Sequence, residues 1–279
     1  MSGLRGPIST RSATYRGRIV QEDPPMKTTR PGAPIRALLF WLPVLAIADF
    51  VSEGTVSAQT PSAAELLRSS IERHDPDALW GVASFELTIG ETRPDGSERL
   101  STVSIDDPSQ RFSFASSREG LPIEGILDRD GCTWRLNGSM DFTDEERDRF
   151  RLTCEQLERI RNYYVYLWGL PMKLNDPGTR IDPEIESTEF MGNSVWSIRI
   201  TYDPEVGSDT WYFYFDPEDA ALVGYRFYHD ESAGDGEYIV LEGEREFDGL
   251  RLPTVRTWYT NQGDELLGVD TLQSLEVTR

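Results

Sequence analysis

Short stretches in which apolar and polar side chains alternate recur from residue 84 to the C-terminal end of the chain, and this pattern limits the fold more than any other feature. Phe85, Leu87 and Ile89 fall on one side of the first stretch, with polar residues between them. Such alternation is typical of β-strands with one buried face. Turn sequences such as residues 94–96 (PDG) and 248–249 (DG) separate the stretches, which predicts antiparallel pairing of neighbouring strands.

Two parts of the chain depart from this period and predict helices. Residues 62–65 (SAAE), 143–146 (TDEE) and 153–156 (TCEQ) have the capping-box pattern that begins a helix. Pro76 ends the first helical stretch, and Gly169 ends the second. A parallel α/β fold needs a helix between most strands, whereas here roughly ten strands are interrupted by one mid-chain helix. We therefore predict a mostly β (α+β) fold with an antiparallel sheet.

Aromatic side chains on both faces of two strands refine this prediction. Residues 211–215 (WYFYF) and 223–228 (VGYRFY) do not alternate cleanly, although a sheet with one wet face should. Both faces must then be partly covered. We predict a strongly curved sheet, an open half-barrel of roughly ten strands, with the helices covering its concave face. The alternative is that the aromatic side chains pack directly against the helices and leave no space for a ligand.

The first 58 residues have the composition of a secretory leader. The apolar run 37–48 follows Lys27, Arg30 and Arg36, and residues 56–58 (VSA) provide the small side chains of a cleavage site. A membrane anchor is the alternative, but it needs about 20 apolar residues. We predict that translation starts at Met26 and that cleavage follows Ala58. Residues 59–279 then form a single periplasmic or secreted domain that does not span a membrane.

Charge and the rare residue types exclude several classes of function. The formal net charge of −20 disfavours nucleic acid and anionic lipid surfaces, which bind clustered Lys and Arg. Two histidines and two cysteines are too few for most structural zinc sites or a cysteine-ligated cluster, and we predict no cofactor and no metal site. Cys132 and Cys154 are either a disulfide, which an oxidising compartment permits, or two separate buried thiols.

Three stretches of the second half carry a resemblance to a known family. They are residues 222–230 (LVGYRFYHD), 237–243 (EYIVLEG) and 248–259 (DGLRLPTVRTWY), preceded by the loop 170–178 (LPMKLNDPG). Together with the order of helices and strands, they resemble a family of uncharacterised secreted bacterial proteins. That family is similar in fold to the LolA-like periplasmic lipoprotein carriers, in which an incomplete barrel holds acyl chains around a helical lid. The resemblance implies a LolA-like open barrel and names no catalytic residue.

The resemblance favours a binding or carrier protein for an apolar small molecule, lipid or acyl chain. The groove wall is predicted to consist of Phe85, Leu87, Phe112, Phe114, Trp134, Trp196, Ile198, Ile200, Trp211, Phe213, Phe227 and Trp258. Lys173, Arg226 and Arg256 are predicted at its mouth, where a basic side chain can contact a head group. For each of these three, an ordinary surface charge is the alternative.

We predict that the protein is not an enzyme. The sequence has no G-x-S-x-G nucleophile motif, and His74 has an ordinary role as an imidazolium favoured by a helix C-terminus. Two other functions stay open: an envelope hydrolase that uses His229 with an Asp or Glu partner, and a structural or interaction domain without a pocket. An envelope protein partner is also conceivable, but the sequence does not identify one.

Overall fold

The computed structural model of the chain describes residues 60–279. The predicted leader 1–58, the start at Met26 and cleavage after Ala58 lie outside these residues, so the division of the chain into a leader and one domain stays a prediction. Within 60–279, no helix is both long enough and apolar enough to cross a bilayer.

Three α-helices form where the sequence has its capping residues. They are α1 (Ala63–His74), α2 (Asp144–Phe150) and α3 (Cys154–Trp168). Reciprocal capping boxes begin α1 and α2. Thr153 caps α3 only through its hydroxyl, which accepts from the Gln156 N–H, so the third predicted box is only half formed. The predicted stretch 143–168 contains two helices, because Arg151 adopts a left-handed conformation with φ of 53° that ends α2.

Fourteen strands make up the rest of the described chain, with two short 3-10 helices at Met172–Asn175 and Glu231–Ala233. The strands are β1 (Ser84–Thr92), β2 (Glu98–Asp106), β3 (Arg111–Arg118), β4 (Leu121–Asp128), β5 (Gly131–Leu136), β6 (Thr179–Phe190), β7 (Asn193–Tyr202), β8 (Thr210–Phe215), β9 (Leu222–Tyr228), β10 (Glu237–Glu242), β11 (Arg245–Phe247), β12 (Leu250–Leu252), β13 (Val255–Thr260) and β14 (Leu266–Thr278).

Twelve of these strands form one antiparallel sheet, which confirms the predicted strand arrangement. Their order is β5-β4-β3-β2-β1-β14-β13-β10-β9-β8-β7-β6, and β11 pairs with β12 in a separate ribbon. The predicted number, roughly ten, is too low, because β6 was not recognised and because β11 and β12 are short strands separate from β10 and β13. Since β5 and β6 lie at opposite edges and do not pair with each other, the sheet is not closed.

The helices lie on one face of this sheet. Directly opposed residues of neighbouring strands share a face, and Ile198, Phe213, Tyr225, Ile239 and Trp258 form such a row from β7 to β13. All five belong to or pack against an apolar cluster that also contains residues of α1 and the last turn of α3. The first turns of α3, together with α2, pack on β1–β5 and β14 in a second cluster.

The opposite face carries a small cluster of its own. Phe190, Val195, Tyr214 and Tyr238 are buried there, and the rings of Phe190 and Tyr214 stack at 4.2 Å. This cluster explains why the residues of β8 are aromatic on both sides, as the sequence indicated.

A disulfide joins Cys132 to Cys154, with their Cα atoms 5.5 Å apart. It connects β5 to the first residue of α3 and thereby fixes where the helix starts above the sheet. Of the two possibilities that the sequence left open, the structure has the disulfide.

A candidate ligand pocket beneath helix α3

A pocket of about 590 Å³ lies between α3 and the part of the sheet formed by β6–β10 and β13. Its size falls within the range of about 300–1,000 Å³ that is usual for small-molecule sites. The residues that line it are Asn162, Tyr163, Val165, Tyr166, Leu167, Lys173, Asp176, Pro177, Thr179, Tyr202, Val206, Gly207, Asp209, Trp211, Phe227, Glu237 and Trp258.

Six of the lining residues are aromatic. Trp211 and Phe227 are register partners on β8 and β9, and their rings stack with centroids 4.7 Å apart. Tyr166 of α3 meets the Trp211 ring edge-on at 5.5 Å, and its hydroxyl is hydrogen-bonded to that of Tyr202. Burial raises the pKa of Tyr166 and raises that of Tyr202 to about 12. Both hydroxyls therefore stay neutral at physiological pH.

A half-buried carboxylate, that of Asp270, supports the other side of the wall. The rings of Tyr163 on α3 and Trp258 on β13 stack at 6.1 Å. The hydroxyl of Tyr163 and the indole N–H of Trp258 both donate to Oδ2 of Asp270, at 3.3 Å and 2.9 Å. These bonds orient the two rings from behind, so this part of the wall is already formed without a ligand.

One end of the pocket is polar and acidic. Asp209, immediately before β8, accepts a hydrogen bond from Nδ1 of His229 at 3.0 Å. Glu237 begins β10 and is half-buried; burial raises the pKa of its carboxyl. Lys173 also lines the pocket, and its ammonium forms an ion pair with Asp176. The pocket thus has an aromatic body and carboxylates near its rim.

The structure brings four of the predicted site residues to this pocket: Lys173, Trp211, Phe227 and Trp258. Ile198, Ile200 and Phe213 lie beneath them in the core and have no exposed surface. Trp196 packs against the same core without lining the pocket. Whether any of these side chains binds a ligand stays a prediction.

The other half of the predicted groove is filled by α3. Phe85, Leu87, Phe114 and Trp134 are buried in the apolar cluster beneath the helix, and Tyr164 packs on Phe114 with ring centroids 5.9 Å apart. A second opening of about 640 Å³ lies at the rim of this half. Phe112 lines it, but most of its other residues are charged, for example Asp106, Arg111, Asp128 and Glu158. The open space with an aromatic lining therefore lies on the side of β6–β10 and β13.

Two predicted head-group residues do not lie at the pocket mouth. Arg226 alternates with Phe227 on β9 and so points to the opposite face, where it lies over the ring of Tyr238 at 5.0 Å. Arg256 is on the pocket side of β13 but is 1% exposed. Its guanidinium lies 3.5 Å from the centre of the Trp168 ring and donates to the Leu167 carbonyl at 3.1 Å. Coverage by the last turn of α3 excludes Arg256 from the mouth.

His74 also differs from its predicted role. It is completely buried at the end of α1, where Nε2 accepts from the N–H of Leu222 at 3.1 Å and Nδ1 contacts the carbonyl of Arg251. A ring nitrogen that accepts while the other donates belongs to neutral imidazole. Burial lowers the pKa of His74, so it is not the imidazolium that the helix C-terminus suggested.

Several lining residues were missed from the sequence. Tyr163 and Tyr166 lie on α3, one helical turn apart. This spacing places both tyrosines on one face of the helix, and it could have indicated that this face lines the groove. Glu237 precedes the buried Ile239 by two positions in β10. Because residues two positions apart in a strand share a face, Glu237 lies on the pocket face with Ile239. Asp209 lies in a loop, and no pattern in the sequence pointed to it.

Comparison with known proteins finds a matching sequence family and several solved structures that resemble the chain. Residues 50–274 match the model of DUF6503, a family of unknown function. None of the curated proteins is significantly similar in sequence. Among solved structures, a LolA superfamily protein from Nitrosomonas europaea is 10% identical with a TM-score of 0.45, and the match covers 78% of this chain and 94% of that one.

Two further solved structures are similar at the same level. A domain described as an outer membrane lipoprotein-sorting protein, from Vibrio parahaemolyticus, is 10% identical with a TM-score of 0.45, covering 77% of this chain and 93% of that one. A DUF1329 family protein from Desulfovibrio piger is 11% identical with a TM-score of 0.39, covering 78% and 93%. Identities this low carry no information about a ligand.

Proposed function

This chain belongs to DUF6503, a family of unknown function, and we propose that it is a periplasmic or secreted binding protein for an apolar ligand, such as a lipid or acyl chain. The sheet of residues 59–279 acts as an open half-barrel whose concave face is covered by α1 and α3. The ligand lies in the pocket beneath α3, and the function is binding or transport rather than catalysis.

The observation that carries this proposal is the aromatic pocket itself. Its walls combine half-buried rings from α3 and from four strands, and Trp211 and Trp258 are only partly covered by protein. Half-buried aromatic side chains around a concave space are the usual composition of a site for an apolar molecule. A structural domain without a pocket would have no need for this space.

Burial of an alkyl chain in such a pocket gives a graded prediction. Each CH₂ removed from water contributes about 0.8 kcal/mol, which corresponds to roughly a fourfold tighter Kd. In a homologous series of ligands, affinity should rise by this factor per carbon and then reach a plateau when the chain outgrows the pocket. Isothermal titration calorimetry of the series measures both the increment and the plateau.

A dye-binding experiment tests the site directly. The neutral apolar fluorophore N-phenyl-1-naphthylamine should gain fluorescence with the wild type and lose most of that gain with Trp211→Asp. Tyr212→Ala is the matched control, because Tyr212 follows Trp211 on β8 and faces the other side of the sheet. Equal dye binding by all three proteins, each shown by circular dichroism to be folded, would disprove the proposed site. Native mass spectrometry before and after delipidation tests for a co-purifying ligand.

One observation favours a hydrolase as the second candidate. The contact between Nδ1 of His229 and Asp209 at the pocket rim has the geometry of a base and its orienting carboxylate. Among the hydrogen bonds of residues 60–279, however, none joins the other ring nitrogen of His229 to a hydroxyl nucleophile. His229→Ala should therefore leave dye binding intact. Hydrolysis of a 4-nitrophenyl ester by the wild type, lost in His229→Ala, would favour the hydrolase.

A further inference from the structure

The acidic end of the pocket is built by three neighbouring strands at one level of the sheet. Trp211, Phe227 and Glu237 are successive register partners on β8, β9 and β10, so their side chains stand side by side on the helix-covered face. Asp209 lies immediately before β8 and His229 immediately after β9, each two residues from Trp211 or Phe227, and the two are hydrogen-bonded at the rim. Two carboxylates therefore lie next to the stacked rings of Trp211 and Phe227.

Of these two carboxylates, only Asp209 is paired with a basic side chain within residues 60–279. Lys173 is the cation among the lining residues, and its ammonium is already paired with Asp176. His229 is paired with Asp209. In the part of the chain that the structure describes, no Arg or Lys side chain forms an ion pair with Glu237, although burial raises the pKa of that carboxyl. Glu237 thus lines the pocket without an ion-pair partner among the described side chains, although the charge of His229 lowers its pKa and so opposes the effect of burial.

Aromatic rings beside a carboxylate favour one class of head group. The face of an indole or phenyl ring attracts a cation by its quadrupole, most strongly when both are shielded from water. Phe227 is the register partner of Glu237, and the ring of Trp211 stacks on that of Phe227. A carboxylate or phosphate head at the same place would instead meet Asp209 and Glu237, and like charges repel strongly where water is partly excluded.

We propose that the pocket selects cationic amphiphiles, with an amine or quaternary ammonium head at Asp209 and Glu237 and the apolar body beneath α3. This inference rests on the proposed function. The aromatic wall supplies affinity for the body, and the acidic end supplies the selection by charge. Fatty acids and other anionic amphiphiles are then poor ligands, although their apolar parts fit equally well.

Three probes with the same ten-carbon chain separate these contributions: decyltrimethylammonium, decyl maltoside and decanoate, each below its micelle concentration. Calorimetry on the purified protein at low salt should show the cation binding about tenfold more tightly than the neutral probe, and decanoate more weakly than either. Glu237→Gln and Asp209→Asn should each reduce the preference for the cation several-fold. Glu276→Gln, which removes the same charge from the exposed side of β14, should leave it unchanged.

The possible results distinguish this inference from the function on which it rests. Equal affinity for the three probes, or a cation preference that Glu237→Gln and Glu276→Gln reduce equally, would overturn the selection by charge and keep the apolar pocket. Tighter binding of decanoate would also overturn it. Binding of none of the probes by a folded protein would remove the proposed function and the inference together. A thermal melt of each variant establishes that it is folded.

Discussion

The indole N–H of Trp258 donates a hydrogen bond of 2.9 Å to Oδ2 of Asp270, so a wall of the pocket is anchored on an acid inside the sheet. Burial raises the pKa of Asp270 to about 6, and the charge of its register partner Glu91 adds to this rise. The bonds from Trp258 and Tyr163 and the charge of Arg256 oppose it. Asp270 therefore changes charge between about pH 5 and pH 7.

Asp270 should make the wild type less stable as the pH rises from about 4 to above 6. The native state holds the proton that the unfolded chain, with a pKa of about 3.9, has already lost, so ionisation at pH 7.5 opposes folding by about 2–3 kcal/mol. Asp270→Asn keeps an acceptor for Trp258 and removes the charge. We expect the variant to match the wild type near pH 4 and to gain stability relative to it by pH 7.5.

Urea denaturation of both proteins across this range measures the difference. Asp130→Asn, at an exposed turn residue, controls for the change in net charge. A difference between Asp270→Asn and the wild type that stays constant with pH would show that Asp270 titrates like an exposed carboxylate.

The pKa values of the two histidines of the chain should deviate in opposite directions from the ordinary value for histidine. The pKa of His74 is lowered by burial, whereas the hydrogen bond to Asp209 raises that of exposed His229. Carbon–proton NMR spectra should show one imidazole titrating above pH 6.5 and another that stays neutral at that pH. His229→Ala assigns the signals, and Asp209→Asn should lower the pKa of His229.

The same pair gives a small pH-dependent contribution to stability. Because the folded pKa of His229 is raised, its stabilisation is complete below the unfolded pKa and is lost as the pH rises through the folded one. The pair is exposed, so the contribution should not exceed about 1 kcal/mol. A titration in which His229 keeps its pKa in Asp209→Asn would show that the contact does not persist in solution.

Local patterns predicted the parts of the fold that depend on local chemistry. The capping residues Ser62 and Thr143 begin helices, and Phe85, Leu87 and Ile89 are buried as their alternation required. Each of these signals depends on residues within one turn or one strand. The sequence therefore identified most elements and the buried face of each.

Strand β6 was missed because it lacks that signal. It is an edge strand that contains Pro183, its register shifts between Ile181 and Ile185, and most of its side chains are exposed. An edge strand pairs on one side only and tolerates proline and polar residues. It therefore has neither the alternation nor the apolar content by which a strand is recognised.

The site was predicted only in part because it depends on long-range packing. The alternation of side chains along a strand could have excluded Arg226 from the pocket mouth, because neighbouring residues such as Arg226 and Phe227 point to opposite faces. The same alternation could not exclude Arg256 from the mouth, because Arg256 shares a face with Trp258. Its removal from the mouth depends on Trp168 at the end of α3, and no sequence pattern reports where that helix lies on the sheet.

Reduction of the Cys132–Cys154 disulfide should destabilise the protein and loosen the start of α3. A cross-link between cysteines 22 positions apart contributes about 3 kcal/mol in the chain-entropy model. We expect guanidinium denaturation with a reductant to show a loss of that size. The double variant Cys132→Ser/Cys154→Ser should have the lower stability with or without reductant. A double variant as stable as the oxidised wild type would contradict this.

Arg256 should be coupled energetically to Asp270 across β13 and β14, where the two are register partners. Arg256→Met leaves the Leu167 carbonyl without its donor, removes the charge over Trp168 and leaves Asp270 without the cation that lowers its pKa. Leaving a buried acceptor without its donor costs about 1–3 kcal/mol. At pH 5 the loss should be smaller, because Asp270 is then largely protonated and needs no cation. In the double variant Arg256→Met/Asp270→Asn, about 1 kcal/mol or more of the loss at pH 7.5 should be recovered.

Urea denaturation of the wild type, the two single variants and the double variant measures this coupling, with exposed Arg135→Met as the control. Strictly additive losses at both pH values would mean that Arg256 stabilises the fold through Trp168 and the α3 carbonyl alone.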